Sequence, residues 1–450
     1  MNKIFIMIVL ILTFTTLLAI DQVTVYNDNF ALVRTQTELN LTKGLQSFYF
    51  ENIPSTIEAS SVIVESNKKG LEIFSQNYEY DLANTSKILM KYIGKDIEVI
   101  TKSDNKFSGK LIFQDFETIG IQDDSGKLDL VRVLEIRNFN LTKLPANFFL
   151  KPTLHWRLQA KKKGKYSIDL SYLCTGLSWN VTYNAVWNDV AGNLEINSWV
   201  TMNNTTGKAF EDTKLKLVAG EVQKKRRYDK HYGEIFETTV LATSFVDNGR
   251  AHKFEEKAFH DFHIYTLSDN VSINNNQVKQ LRLYPTAQVK AKSRYEYRTK
   301  GDKIKSMVVF DNSEQDGLGK PLPKGIFKIY KIDNADNNME FIGEDNISHT
   351  PLEEEITLTT GNAFDIVGET IVVDTKKISK YINQRQMSVI LKNRSKKPKE
   401  IIVVHFIRGD WEITKENVQY NKKKSNEIEF TKKLKAGEEF KITWTETVEH

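Results

Sequence analysis

Apolar and polar residues alternate with a period of two through most of the chain. Tyr166, Ile168, Leu170 and Tyr172 share one parity, as do Val181, Tyr183, Ala185 and Trp187, and then Leu194, Ile196, Ser198, Val200 and Met202. Successive side chains of a strand point to opposite faces, so this pattern predicts strands buried on one side. Ile401, Val403, His405 and Ile407 repeat it near the C-terminus, followed by Trp411. Lys163-Gly164, Gly192-Asn193, Gly207-Lys208, Gly409-Asp410 and Ala436-Gly437 fall between the runs, where tight connections need turn residues. Helical periodicity is scarce, with 376–384 a short candidate. Many short strands separated by regular turns predict an all-β fold of antiparallel β-sandwich domains.

The N-terminal part reads as strands at 23–26, 31–41, 46–50, 61–65 and 71–80. Between 88 and 139 lies a more self-contained unit with five short strands and tight polar turns. Its sequence "YIGKDIEVITKSDNKFSGKLIFQDFETIGIQDDSGKLDLVRVLEIRNF" resembles the small Sm-like or SH3-like barrels. The resemblance rests on Gly94 opening the first strand, Gly109 bending the second after Phe107, and Gly126 in the Asp-Ser-Gly turn, where a small barrel needs backbone freedom. Sm-like barrels often bind RNA. Here Lys106, Lys110 and Lys127 are balanced by Asp115, Asp123, Asp124 and Asp129, which favours a small five-stranded barrel inserted as a structural element.

Ahead of these strands, Lys3 precedes an apolar run from Ile4 to Leu12 that continues, broken by threonines, to Ile20. That is the pattern of a secretory signal peptide. Cleavage after Ala19 is the favoured reading, with Leu17 large for its position, and an uncleaved anchor is the alternative. No cysteine follows the run to take a lipid, and no second stretch reaches the roughly 20 apolar residues a membrane helix needs. At most peripheral membrane contact is expected after cleavage.

The 450 residues suffice for two or three domains with sizeable cores, and 40% hydrophobic content is ordinary for a globular chain. The 63 basic and 58 acidic residues nearly cancel, giving a net charge of +5 and no sign of nucleic-acid binding. A single cysteine, Cys174, rules out an intrachain disulfide, and its place in an apolar strand pattern points to packing. From 222 to 257 charges of both signs break the alternation, including Lys224 to Arg227, which reads as a surface excursion. Abundant Lys, Asn and Ile suggest an AT-rich bacterial source, in which the Asn-x-Ser/Thr sequons would carry no glycan.

The second half of the chain carries several ordered motifs: "GLSWNVTYNAVW", "TMNNTTGKAFEDTKLKLVAGEV", "DFHIYTLSDNVSINNNQVKQLRLY", "PLPKGIFKIYK" and "GNAFDIVGE". With the opening words "TVYNDNFALVRTQTELNLTKGLQSFYFENIP", they are similar to the domain-of-unknown-function family 4139, whose members include mucoidy-inhibitor-like exported bacterial proteins. The resemblance spans most of the chain outside the barrel. It implies an exported β-rich protein with no established reaction. The expected layout is a signal peptide at 1–19, an N-terminal β segment at 20–87, the barrel at 88–139 and the family-like sandwich region at 153–450.

Within those motifs, Trp179 at a turn, and Trp411 and Trp444 further on, are expected to close cores. Phe262, Ile264 and Leu267 would be apolar anchors, Lys279 and Gln280 would pair across strands, and Gly317, Gly319, Pro321 and Pro323 would form a hairpin tip.

Candidate chemistry is thin. His260 and His263 are the only close pair of histidines, and on a straight strand residues three apart face opposite sides. They would share a metal only if the chain turns there, and no helical zinc motif supplies further ligands. Glu353-Glu354-Glu355 lacks the spacing of a calcium loop, and no Gly-x-Ser-x-Gly elbow occurs. No catalytic or cofactor-binding residue and no cofactor is therefore assigned. The expected function is that of a noncatalytic protein binding an unidentified protein or polymer of the cell envelope, periplasmic, envelope-associated or extracellular. The alternative is a hydrolase of an envelope polymer whose site only the fold assembles.

Overall fold

A computed structural model describes residues 20–80, 85–141, 148–224, 253–333, 335, 336 and 338–449. The signal-like stretch 1–19 and most of the excursion at 222–257, including Arg226 and Arg227, lie outside the described residues. Strands dominate, arranged in several sheets, and the fold is all-β. The chain divides into two compact units: residues 1–178, 203–217 and 269–278 form one, and 179–202, 218–268 and 279–450 the other.

In the first unit the predicted N-terminal strands form as Ile20–Tyr26, Phe30–Leu41, Gly44–Phe50, Ile63–Ser66 and Leu71–Glu79. Phe30–Leu41 pairs antiparallel with Gly164–Thr175 along its whole length, and Gly164–Thr175 continues to Ile63–Ser66. Thr153–Ala160 sits between Gly44–Phe50 and Leu71–Glu79 in a second, three-stranded sheet. Its central Trp156 is buried, stacks on Phe48 and Phe50, and donates its indole N–H to Gln76 Oε1 at 2.7 Å. Alternation thus buries one face of each sheet in a sandwich-like core.

The inserted unit has the five expected strands, Asp96–Thr101, Lys106–Gln114, Thr118–Gln122, Leu128–Arg132 and Ile136–Leu141. Its sheet is open, not a closed barrel. The end strands are Leu128–Arg132 and Ile136–Leu141, separated in the chain by a single 3-10 turn, Val133–Glu135. Gly94, Gly109 and Gly126 all have positive φ, and a side chain on Gly109 would meet the Gln122 carbonyl oxygen at 2.2 Å. The predicted backbone freedom is real. The open sheet wraps a small core of Leu89, Tyr92, Ile97, Val99, Leu111, Ile119, Ile121 and Val131.

In the second unit, a large sheet and a four-stranded sheet face each other across one core. Tyr297, Ile401, Val403, Ile428 and Phe430 come from the first, and Met387, Val389, Ile442, Trp444 and Val448 from the second. Trp444 is buried and Trp411 packs at the margin, both as expected. The all-β expectation holds and is refined, and one local expectation is overturned. The sheets are not purely antiparallel: Leu177–Asn188 pairs in parallel with Gly325–Ile332, and Ala287–Arg298 with Lys399–Phe406. Residues 376–384 are not helical: 378–381 form the turn of a hairpin between Ile366–Lys377 and Ile382–Asn393, and the rest are strand ends. There Ile378 and Ser379 donate to the Ile382 carbonyl, while the Ser379 hydroxyl accepts from the N–H groups of Tyr381 and Ile382. The apolar spacing of Ile378, Tyr381 and Ile382 imitates a helix face, but the serine closes a turn.

Candidate functional site

The strands Phe254–Phe259 and Phe262–Leu267 form a hairpin, so the chain does turn between the two histidines. His260 takes a left-handed conformation, φ 55°, at the tip, where its ring lies 3.0 Å from the Asp261 carboxylate. His263 returns along the second strand and bonds through Nδ1 to Glu256 at 2.7 Å. The turn therefore gives each histidine its own carboxylate. Among the described residues, no group of three His, Cys, Asp or Glu side chains is placed to hold a metal ion.

His263 lines a cleft of about 310 Å³ in the second unit, together with Glu221, Asp261 and Tyr265. The opposite walls are the Pro321-Leu322-Pro323 and His349-Thr350-Pro351 segments. The expected hairpin tip at Gly317–Pro323 is instead a connection: Ile304–Asp311 and Gly325–Ile332, on either side of it, do not pair with each other. Its prolines form a cleft wall.

Fixed hydrogen bonds hold that wall. Tyr265 and Tyr284 both donate their hydroxyls to the Pro321 carbonyl, at 3.0 and 2.7 Å, and Tyr183 donates to the Pro323 carbonyl at 2.8 Å. Leu322 and Thr350 exchange backbone bonds of 2.9 Å, tying one wall to the other. The buried Asn312 amide donates to the carbonyls of Lys320 and Pro351. Burial pushes the Tyr265 and Tyr284 hydroxyls well above the usual phenol range, so both stay neutral donors. Trp179 packs edge-on to Tyr265 from within Leu177–Asn188, so it supports the floor from inside a strand and not from the expected turn. Leu267 is buried as expected, whereas Phe262 and Ile264 are half-buried and Tyr265, unremarked in the sequence, is the fully buried anchor. Gly220 matters here: a Cβ on it would meet the Phe262 ring at 2.4 Å.

The cleft is thus preformed, with a floor of satisfied tyrosines and a rim bearing Glu221, Asp261, His263 and His349, and no lysine or arginine lines it among the described residues. The two carboxylates on this rim are groups that could meet a cation.

A second constellation in the same unit was signalled in the sequence only by the inward parity of His405. Glu446 is fully buried in Glu439–Glu449, and its carboxylate takes His405 Nε2 at 2.7 Å, Trp444 Nε1 at 3.2 Å and the Arg385 guanidinium at 2.6 Å. Burial would raise its pKa. The His405 bond and charge, the indole N–H and Arg385 outweigh that and hold the carboxyl below its usual range. His405 Nδ1 is 2.7 Å from the hydroxyl of half-buried Thr299. Neutral and protonated at Nε2, His405 would accept the threonine hydroxyl proton at Nδ1; as the imidazolium whose charge lowers the Glu446 carboxyl, it donates there instead. With His405 neutral, the chain Thr299–His405–Glu446 has the order of a hydroxyl, a base and an orienting acid.

The remaining sequence candidates are structural. Glu355 forms a two-point pair with Arg294, whose hydrogen bonds lower its pKa, and the Glu354 carbonyl accepts from Asn312, which splits the acidic run. Cys174 is buried in Gly164–Thr175. Gln280 bonds across to Thr201 at 3.2 Å. No family model matches the chain, and no curated protein matches it.

Proposed function

We propose that the protein is an exported, noncatalytic binding protein of a bacterial cell envelope, a relative of the domain-of-unknown-function family 4139. Its cleft would hold a cationic segment of an envelope protein or polymer. The observation that carries this reading is the preformed, acid-rimmed cleft. Its polar floor is already satisfied, so binding costs little reorganisation and selectivity comes from the rim. The signal-like N-terminus supports export to the periplasm, the envelope surface or the medium.

The test is capture from envelope extracts on the immobilised protein, compared with a Glu221→Gln/Asp261→Asn double variant. The wild type should retain a partner that elutes with salt, and the variant should lose it. Equal retention by both would remove the cleft from the argument.

The Thr299–His405–Glu446 chain favours a second reading, a hydrolase of an envelope polymer. Turnover of an ester panel that Thr299→Val abolishes and Thr299→Ser preserves would replace the binding reading.

A further inference from the structure

We propose that the open edge strand Leu128–Arg132 of the inserted five-stranded unit is a homodimer interface, pairing antiparallel with the same strand of a second copy about a two-fold axis at Leu130. Among the described residues, the unit ends in two unlike edges. Ile136–Leu141 presents Arg137, Asn138 and Asn140 and has an irregular register between Ile136 and Asn138. Polar side chains and bulges are the devices that keep an edge from pairing. Leu128–Arg132 has no bulge, its register against Thr118–Gln122 being unbroken, and its charges are confined to Asp129, paired with Lys127 at 2.7 Å, and the terminal Arg132. Leu128 and Leu130 are 47% and 64% exposed, and beyond the strand Leu134 is 81% and Phe116 99% exposed. The Val133 N–H bond to the Glu117 carbonyl, 2.8 Å, brings the loop of Phe116 beside the turn of Leu134. The apolar surface thus follows the edge and its end.

The ladder decides which backbone groups are free. Asp123 N–H donates to the Lys127 carbonyl at one end, and Val133 N–H to the Glu117 carbonyl at the other. In an antiparallel ladder the bonding residues alternate, so Lys127, Asp129, Val131 and Val133 bond inward. The N–H and C=O groups of Leu128, Leu130 and Arg132 then point away from the sheet. A two-fold axis through Leu130 sets Leu130 against itself and Leu128 against Arg132 of the other copy, and closes about six inter-copy backbone bonds. Asp129 then faces Val131, so no like charges are opposed, whereas a shift that centres the axis on Asp129 would oppose two carboxylates. Pairing with the other edge of a second copy would set these leucines against Arg137, Asn138 and Asn140. The self-complementary arrangement is the one that covers leucine with leucine. An edge contact of this kind lies at the small end of specific interfaces, about 1,200 Å² or less in total, and so gives a reversible dimer.

Sedimentation velocity of the full chain over a concentration series tests this, alongside Leu130→Lys and Leu130→Cys. The wild type should show a monomer–dimer equilibrium. Leu130→Lys should raise its dissociation constant at least about a hundredfold, because each dimer loses two leucine contacts and gains two facing ammonium groups. Leu130→Cys should cross-link to a dimer with a short bis-maleimide. Ser125→Cys should not, since its copies would lie about 34 Å apart. Position 130 is solvent-exposed, so these variants leave the core intact. A wild type that stays monomeric at the highest concentrations, a dimer unaffected by Leu130→Lys, or cross-linking at Ser125→Cys but not at Leu130→Cys would each overturn the proposal. So would a monomer whose Leu128–Arg132 edge is covered by a different protein in envelope extracts.

Discussion

Asp21 in the first unit and Glu446 in the second are both enclosed carboxylates, but they are enclosed differently. Asp21 meets the Lys208 ammonium at 2.8 Å and accepts the Thr35 hydroxyl at 2.5 Å, while its backbone carbonyl takes the Thr213 hydroxyl at 2.7 Å. Both side chains of the pair are sealed, at 7% and 4% exposure, and Lys208 also lies over the Phe210 ring. Glu446 is more deeply buried, but its partners lead outward: the Arg385 side chain is 37% exposed, and Thr299 at the far end of the His405 bond is half-buried. A sealed pair fixes which segments meet. An outward-leading chain places a hydroxyl and an imidazole within reach of solvent, which the sealed pair does not.

The comparison breaks first at Lys208. Lys208→Met leaves Asp21 buried without its counter-charge and should cost about 3–5 kcal/mol, read from the urea midpoint. Adding Asp21→Asn should restore most of that loss, and a single variant as stable as the wild type would show that the pair is not sealed. Glu446→Gln should cost less, about 2–3 kcal/mol, because Arg385 can turn to solvent. Arg385→Gln should cost about 1 kcal/mol, since its charge is partly screened and His405 and Trp444 stay on the carboxylate. Thr299→Val removes one hydrogen bond and should cost about 1 kcal/mol or less.

Acid sharpens the contrast further. Because the folded Glu446 carboxyl lies below its usual value of 4.5, its ionised form stabilises the fold above that pH. This stabilisation is lost as pH falls through the lower folded value. Glu446→Gln should flatten that part of the stability–pH curve, and an unchanged slope would assign the acid sensitivity elsewhere.

Much of the fold was legible because strand burial is a local, period-two signal. The N-terminal strands, the five strands of the insertion and the packing of Trp411 and Trp444 all follow from it. Alternation says nothing of which strand meets which, so the parallel partners Leu177–Asn188 and Gly325–Ile332 could not be read. The sites suffer from the same limit. Asp21 and Lys208 are 187 residues apart, and His405 and Glu446 are 41 apart. His405 sat in an alternating run, where its parity marked it as inward, yet nothing local named its partner. The His260–His263 pair misled in the other direction: proximity in sequence was real, but the turn gave each ring a separate acid. The cleft wall was missed because Gly and Pro signal a turn without saying what the turn leans on.

The parallel pairing has a consequence for the order of events as the chain is made. Val181 meets Gly325, and Trp444 and Val448 complete the core that Tyr297 begins. The second unit therefore cannot close until Val448 has emerged, and its early strands wait with open edges for partners more than a hundred residues behind them. Loop closure over such spans is slow, so assembly of this unit should lag well behind that of the inserted sheet, whose strands pair with near neighbours in the chain.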